Sequence, residues 1–95
     1  MRMRKKKNLQ PRMDACGDCW IRDPERLRGH WRALYPQAKS LEVELGCGKG
    51  RFTAGTAKAQ PDTLLIAVEK VPDAMVVAME RVTAEGLKNV FFLDA

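Results

Sequence analysis

The sequence predicts an α/β fold built on parallel strands, and three observations carry that prediction. A glycine-rich turn, Gly46-Cys-Gly-Lys-Gly50, stands between a short apolar run and a helical segment. A second apolar run, Leu64-Leu-Ile-Ala-Val68, is nearly continuous, as expected of a parallel strand covered on both faces. A helical stripe then separates it from a third run, Asn89 to Leu93. With right-handed crossovers, the order strand, turn, helix, strand, helix, strand places three parallel strands in spatial order 3-2-1.

Each element has a local reason. Residues 1–22 read as basic tail and loop. Asp23-Pro24-Glu25 reads as a helix start, with a capping acid, proline at the first helical position and an acid at the positive end of the dipole. Leu27, Trp31 and Leu34 follow at i, i+4 and i+7, and Pro36 ends the segment, so residues 23–40 are expected to form a helix and linker. Arg26, Arg28 and Arg32 fall on its solvated face. Leu41 to Leu45 is a short strand, and Arg51 to about Gln60 a helix stopped by Pro61. Glu69 ends the second strand. Pro72 opens a second helix with Met75, Val76, Met79 and Val82 as its buried stripe and Gly86 as C-cap. Residues 41–95 form one unit on this reading.

Charge is unevenly placed. The net charge is +5, yet Arg2, Arg4, Lys5, Lys6, Lys7 and Arg12 lie in the first twelve residues with no acid among them. The basic character belongs to a tail. It suits contact with phosphates through counterion release, or equally a solubilising terminus. No apolar run approaches the ~20 residues of a membrane span, and no signal peptide is visible, so the expected location is the cytoplasm. Cys16-Gly-Asp-Cys19 has the spacing of half a zinc site, but no second pair follows and His30 is the only histidine, so reduced thiols and no metal are expected.

The glycine turn carries the chemistry. A Walker-type phosphate loop needs Lys-Ser/Thr, and here Lys49 precedes Gly50 and Arg51. A dinucleotide fingerprint needs a third small residue where Arg51 stands. What remains is acid-x-Gly-x-Gly-x-Gly, from Glu44, Gly46, Gly48 and Gly50. A carboxylate two residues before the turn repels a pyrophosphate and attracts a ligand bearing an ammonium and a sulfonium, such as S-adenosylmethionine. The glycines let the backbone approach that ligand. Glu69, at the carboxyl end of the second strand, is placed to accept hydrogen bonds from ribose hydroxyls. The plainer alternative makes Glu44 a solvated strand-end acid and the glycines a tight turn.

Four stretches together resemble one family, the bacterial tRNA (guanine-N7)-methyltransferases: Met1-Arg-Met-Arg-Lys-Lys-Lys7, Leu9-Gln-Pro-Arg12, Arg28-Gly-His-Trp31 and Leu41-Glu-Val-Glu-Leu-Gly-Cys-Gly-Lys-Gly-Arg-Phe52. The resemblance implies a Rossmann-like class I methyltransferase fold, amino-terminal half only, with S-adenosylmethionine held by Glu44 and Glu69. It implies methyl transfer to N7 of guanine 46 in tRNA, with Arg2, Arg4, Lys5, Lys6 and Lys7 on tRNA phosphates. Asp94 stands one or two positions short of the family's adenine-side acid. Catalytic residues are expected beyond residue 95, and this chain alone is expected to be inactive. Two other readings stay open: the same fold acting on another RNA or a small molecule, and a non-enzymatic RNA-binding module.

Overall fold

The computed structural model describes residues 8–94. Three parallel strands, β1 (Ser40–Leu45), β2 (Thr63–Glu69) and β3 (Val90–Asp94), lie in the order β1-β2-β3, the predicted 3-2-1 arrangement seen from the other side. The register runs from Ser40 opposite Thr63 to Leu45 opposite Val68, and from Leu65 opposite Val90 to Glu69 opposite Asp94. The strand ends therefore line up, and Glu44, Glu69 and Asp94 come to one edge of the sheet.

Two helices return the chain between strands. These are α2 (Arg51–Ala59) and α3 (Pro72–Ala84), close to the predicted bounds. β2 is buried on both faces because its side chains alternate between two clusters. Leu65 and Ala67 join Val90 and Phe92 beneath the helices, against Met75, Val76, Met79 and Val82 of α3. Leu64 and Ile66 face the other way, where Leu27, Trp31 and Leu34 cover them. Met75 and Met79 are core filler, as their helical spacing predicts.

The amino-terminal third departs from the sequence reading in two places. Residues 9–15, expected in a loop, form a short helix, α1 (Leu9–Ala15), followed by a 3-10 turn at Gly17–Cys19. Leu9, Met13 and Cys16 recur at i, i+4 and i+7 and pack into the helix-side cluster. Pro11 is tolerated because the first turn needs no N–H. Arg12 ties α1 to α3, its Nε donating to Glu80 Oε2 at 2.8 Å. Ile21 N then donates to Phe92 O at 2.8 Å, and Trp20 bridges to Phe92, so the loop lines the outer edge of β3.

The helix expected from Asp23 to Pro36 is replaced by two 3-10 turns, Pro24–Leu27 and Trp31–Leu34. Gly29 separates them with φ of 79°, a left-handed conformation that interrupts a helix. The apolar stripe still packs on the sheet, while Arg26, Arg28 and Arg32 remain exposed. Burial of that stripe survives the change because a strap pressed on a flat sheet can present the same residues without helical geometry.

The far edge of β1 carries no neighbouring strand among the described residues. Among the described residues, Val43, Leu45 and Phe52 are the large apolar residues left exposed, Leu45 at 80%. No helix in the described residues is long and apolar enough to cross a membrane.

Candidate cofactor cleft

The cleft begins where β1 and β2 end side by side. Past Leu45 the chain folds over the end of β2, and Gly46 N and Cys47 N both donate to Val68 O, at 2.8 and 3.1 Å. The first of these continues the parallel ladder one residue past Leu45. The glycines then turn the chain into α2, each with positive φ: 73° at Gly46, 57° at Gly48 and 79° at Gly50.

The three glycines are not equivalent. A Cβ added at Gly46 or Gly48 meets nothing within 4 Å, so both border open space. A Cβ at Gly50 falls 2.5 Å from Ala78 Cβ and 2.8 Å from its Cα. Gly50 is therefore where the turn presses on α3, and its missing side chain serves packing. Ala78 is the matching small residue on α3. Sequence reasoning missed it, since an alanine inside an apolar helical stripe gives no sign of close backbone approach.

Glu69 is buried, 8% exposed. Its Oε1 accepts from Gly48 N at 2.8 Å and its Oε2 from Val71 N at 3.1 Å. The acid expected to face a ligand also holds the glycine turn and the start of α3 in place. Each carboxylate oxygen keeps further acceptor capacity beyond these bonds.

Glu44 lies half-buried on the face of β1 that looks toward α2. Its Oε1 accepts from the hydroxyl of Thr53, a fully buried residue in the first turn of α2. Thr53 is the second residue that sequence reasoning missed. The two carboxylates flank Cys47, whose thiol is pushed up to about 12 by burial first and then by the charges of Glu69 and Glu44. Two carboxylates beside the base of one turn make an environment hostile to a further anion and favourable to a cation.

Asp94 is exposed and pairs in register with Glu69, which adds a third acid to the same edge. Arg2, Arg4, Lys5, Lys6 and Lys7 lie outside the described residues. Cys16 and Cys19 are buried free thiols; Cys19 donates to Cys16 O at 3.4 Å and lies 3.9 Å from Thr83 Oγ1. Among the described residues no three His, Cys, Asp or Glu side chains stand together as a metal site.

Comparison with known proteins agrees with this geometry. A model of the family described as "Putative methyltransferase" matches residues 38–95. The tRNA (guanine-N(7)-)-methyltransferase of Geobacillus kaustophilus (strain HTA426) is 39% identical over 95 residues, covering all of this chain and 44% of that protein. The chain thus spans under half the length of the curated relatives it matches. Among solved structures, the antibiotic-resistance methyltransferase Kmr superposes with a TM-score of 0.62 at 29% identity, over 72% of this chain and 37% of that one. The N-terminal domain of EvdMO1, solved with SAH bound, superposes with a TM-score of 0.56 at 28% identity, over 79% of this chain and 31% of that one. The matched family segment takes in all three strands, the glycine turn and both acids, and on that ground the chain belongs to this methyltransferase family.

Proposed function

We propose that the whole protein transfers a methyl group from S-adenosylmethionine to N7 of guanine 46 in tRNA, and that this chain supplies the cofactor half of the cleft. The observation that carries the cofactor is the pair Glu44 and Glu69 at neighbouring strand ends, on either side of a turn whose Gly46 and Gly48 border open space. These residues fit the ligand. An added Cβ at Gly46 or Gly48 would project into the open space beside the turn, and the donor set is acidic, as a ligand with an ammonium and a sulfonium requires. The EvdMO1 domain, solved with SAH, shares this part of the fold. The choice of tRNA rests on the Geobacillus relative, whose likeness extends over the basic amino-terminal residues as well as the turn.

S-adenosylmethionine supplies the electrophilic methyl on its sulfonium. On this reading Glu44 faces the ammonium, and the spare acceptor capacity of Glu69 takes ribose hydroxyls. Gly46 and Gly48 admit the backbone to close contact, while Gly50 acts through the shape of the turn. N7 of guanine has an in-plane lone pair and carries no hydrogen, so no general base is needed to expose it. Rate then comes from aligning nucleophile, methyl and sulfur, and from negative charge near the purine as it becomes positive. Arg2, Arg4, Lys5, Lys6 and Lys7 take tRNA phosphates in this reading.

The test uses the full-length protein with defined tRNA transcripts. Methylation should appear at guanine 46 and vanish when that base is 7-deazaguanine, which lacks the N7 nucleophile. Methylation of rRNA or a small molecule in place of tRNA would move the reading to another substrate. Removing residues 1–7 should weaken tRNA binding and flatten its salt dependence while S-adenosylhomocysteine affinity stays unchanged.

A further inference from the structure

The glycine turn and the two acids explain what receives a cationic ligand. They do not explain why a hydroxyl is buried beside one of those acids. Thr53 is fully buried in the first turn of α2, next to Ala54 and Ala57 of the helix-side core. Threonine is a weak helix former, and its hydroxyl in a helix ordinarily bonds a carbonyl one turn back. Valine has nearly the same shape and no polar atom to desolvate. A hydroxyl here costs stability unless it is satisfied, and it is satisfied by Glu44 Oε1.

Glu44 needs such a partner. Its strand has no neighbour on the outer side among the described residues, and the residues around it, Val43 and Leu45, are more than half exposed. A carboxylate on an open strand end can sample several rotamers. The hydroxyl of Thr53 reaches it from a packed helix whose position is fixed by Gly50 against Ala78. The turn that binds and the helix that aims are thus one rigid piece.

We propose that Thr53 is a positioning residue: it holds the Glu44 carboxylate toward the ammonium of the bound cofactor and so sets affinity for the amino-acid portion of that ligand. The proposal rests on the cofactor reading above. It separates two halves of the ligand. Whatever Thr53 does through Glu44 is felt by a ligand that carries the ammonium and ignored by one that lacks it.

Isothermal titration of the full-length protein with S-adenosylhomocysteine and with 5′-methylthioadenosine, which lacks the amino-acid portion, reads that separation. Thr53→Val should weaken S-adenosylhomocysteine about tenfold, as expected for a lost hydrogen bond to a charged group, and leave methylthioadenosine within about twofold. Thr53→Ser should restore wild-type binding. In a Glu44→Ala background, which removes the acceptor, Thr53→Val should have little further effect, because the two residues act as one. Thr53→Ala serves in place of valine if that variant does not fold. Unchanged S-adenosylhomocysteine affinity in Thr53→Val, or equal weakening of both ligands, overturns the proposal while leaving the cofactor reading intact. Failure of the wild-type full-length protein to bind either ligand overturns the cofactor reading, and the role of Thr53 falls with it.

Discussion

At the scale of single residues, the turn shows how three similar glycines take different jobs. Gly46 and Gly48 border open space, and Gly50 presses on Ala78. Gly50→Ala must accommodate a contact of 2.5 Å and a φ of 79°, so it should cost at least about 2 kcal/mol in urea denaturation. Gly55 gives the opposite result. It lies inside α2, its added Cβ meets nothing within 4 Å, and Gly55→Ala should stabilise the chain by about 0.5–1 kcal/mol. The acids divide in the same manner. Glu69 is tied to two backbone N–H groups, and Glu44 to one hydroxyl. The sequence pattern selects all five residues and says nothing of this division, because it depends on which surface each Cα faces.

At the scale of elements, Asn89 joins three of them. It is 4% exposed, and its Nδ2 lies 3.0 Å from each of the carbonyl oxygens of Ala57, Gln60 and Thr63. The side-chain amide thereby serves carbonyls that the end of α2 leaves without helical partners, and links them to the start of β2 and β3. Asn89→Ala should cost about 2 kcal/mol, since it removes the buried amide donor that these carbonyls share. Asn89→Asp should cost more, because a carboxylate cannot donate and brings a charge among carbonyl oxygens. Urea denaturation of both variants checks the order; an aspartate that matches wild type would show that the amide donates nothing of value. In the sequence Asn89 reads only as the residue that opens β3.

At the scale of the whole molecule, one sheet is covered by helices on one face and by the 3-10 strap on the other, with thiols buried in the helix-side core. Burial, above all, pushes the thiol of Cys19 up to about 11 and that of Cys47 up to about 12, from an ordinary 9.0. The folded chain therefore holds these protons more tightly than the unfolded chain. Stability is untouched by these groups below pH 9 and falls as pH climbs toward 11 and 12. Urea midpoints measured from pH 8 upward should decline above pH 9, and that decline should be shallower in a Cys19→Ala, Cys47→Ala variant. An identical slope would remove the thiols from the alkaline loss of stability.

The sequence by itself determined the order of strands and helices from β1 onward, the family and the acidic glycine turn. Those features are periodic or local: a covered parallel strand is apolar throughout, a helix repeats its stripe, and a left-handed turn selects glycine. It also named Leu27, Trp31 and Leu34 as buried, although it gave them a helix where Gly29 splits the segment into 3-10 turns. Only the tertiary structure decided that α1 forms, that Gly50 serves packing and that Thr53 grips Glu44. Those outcomes depend on contacts between residues far apart in the chain, from Arg12 to Glu80 and from Gly50 to Ala78, where position in space and not spacing in sequence determines which atoms meet.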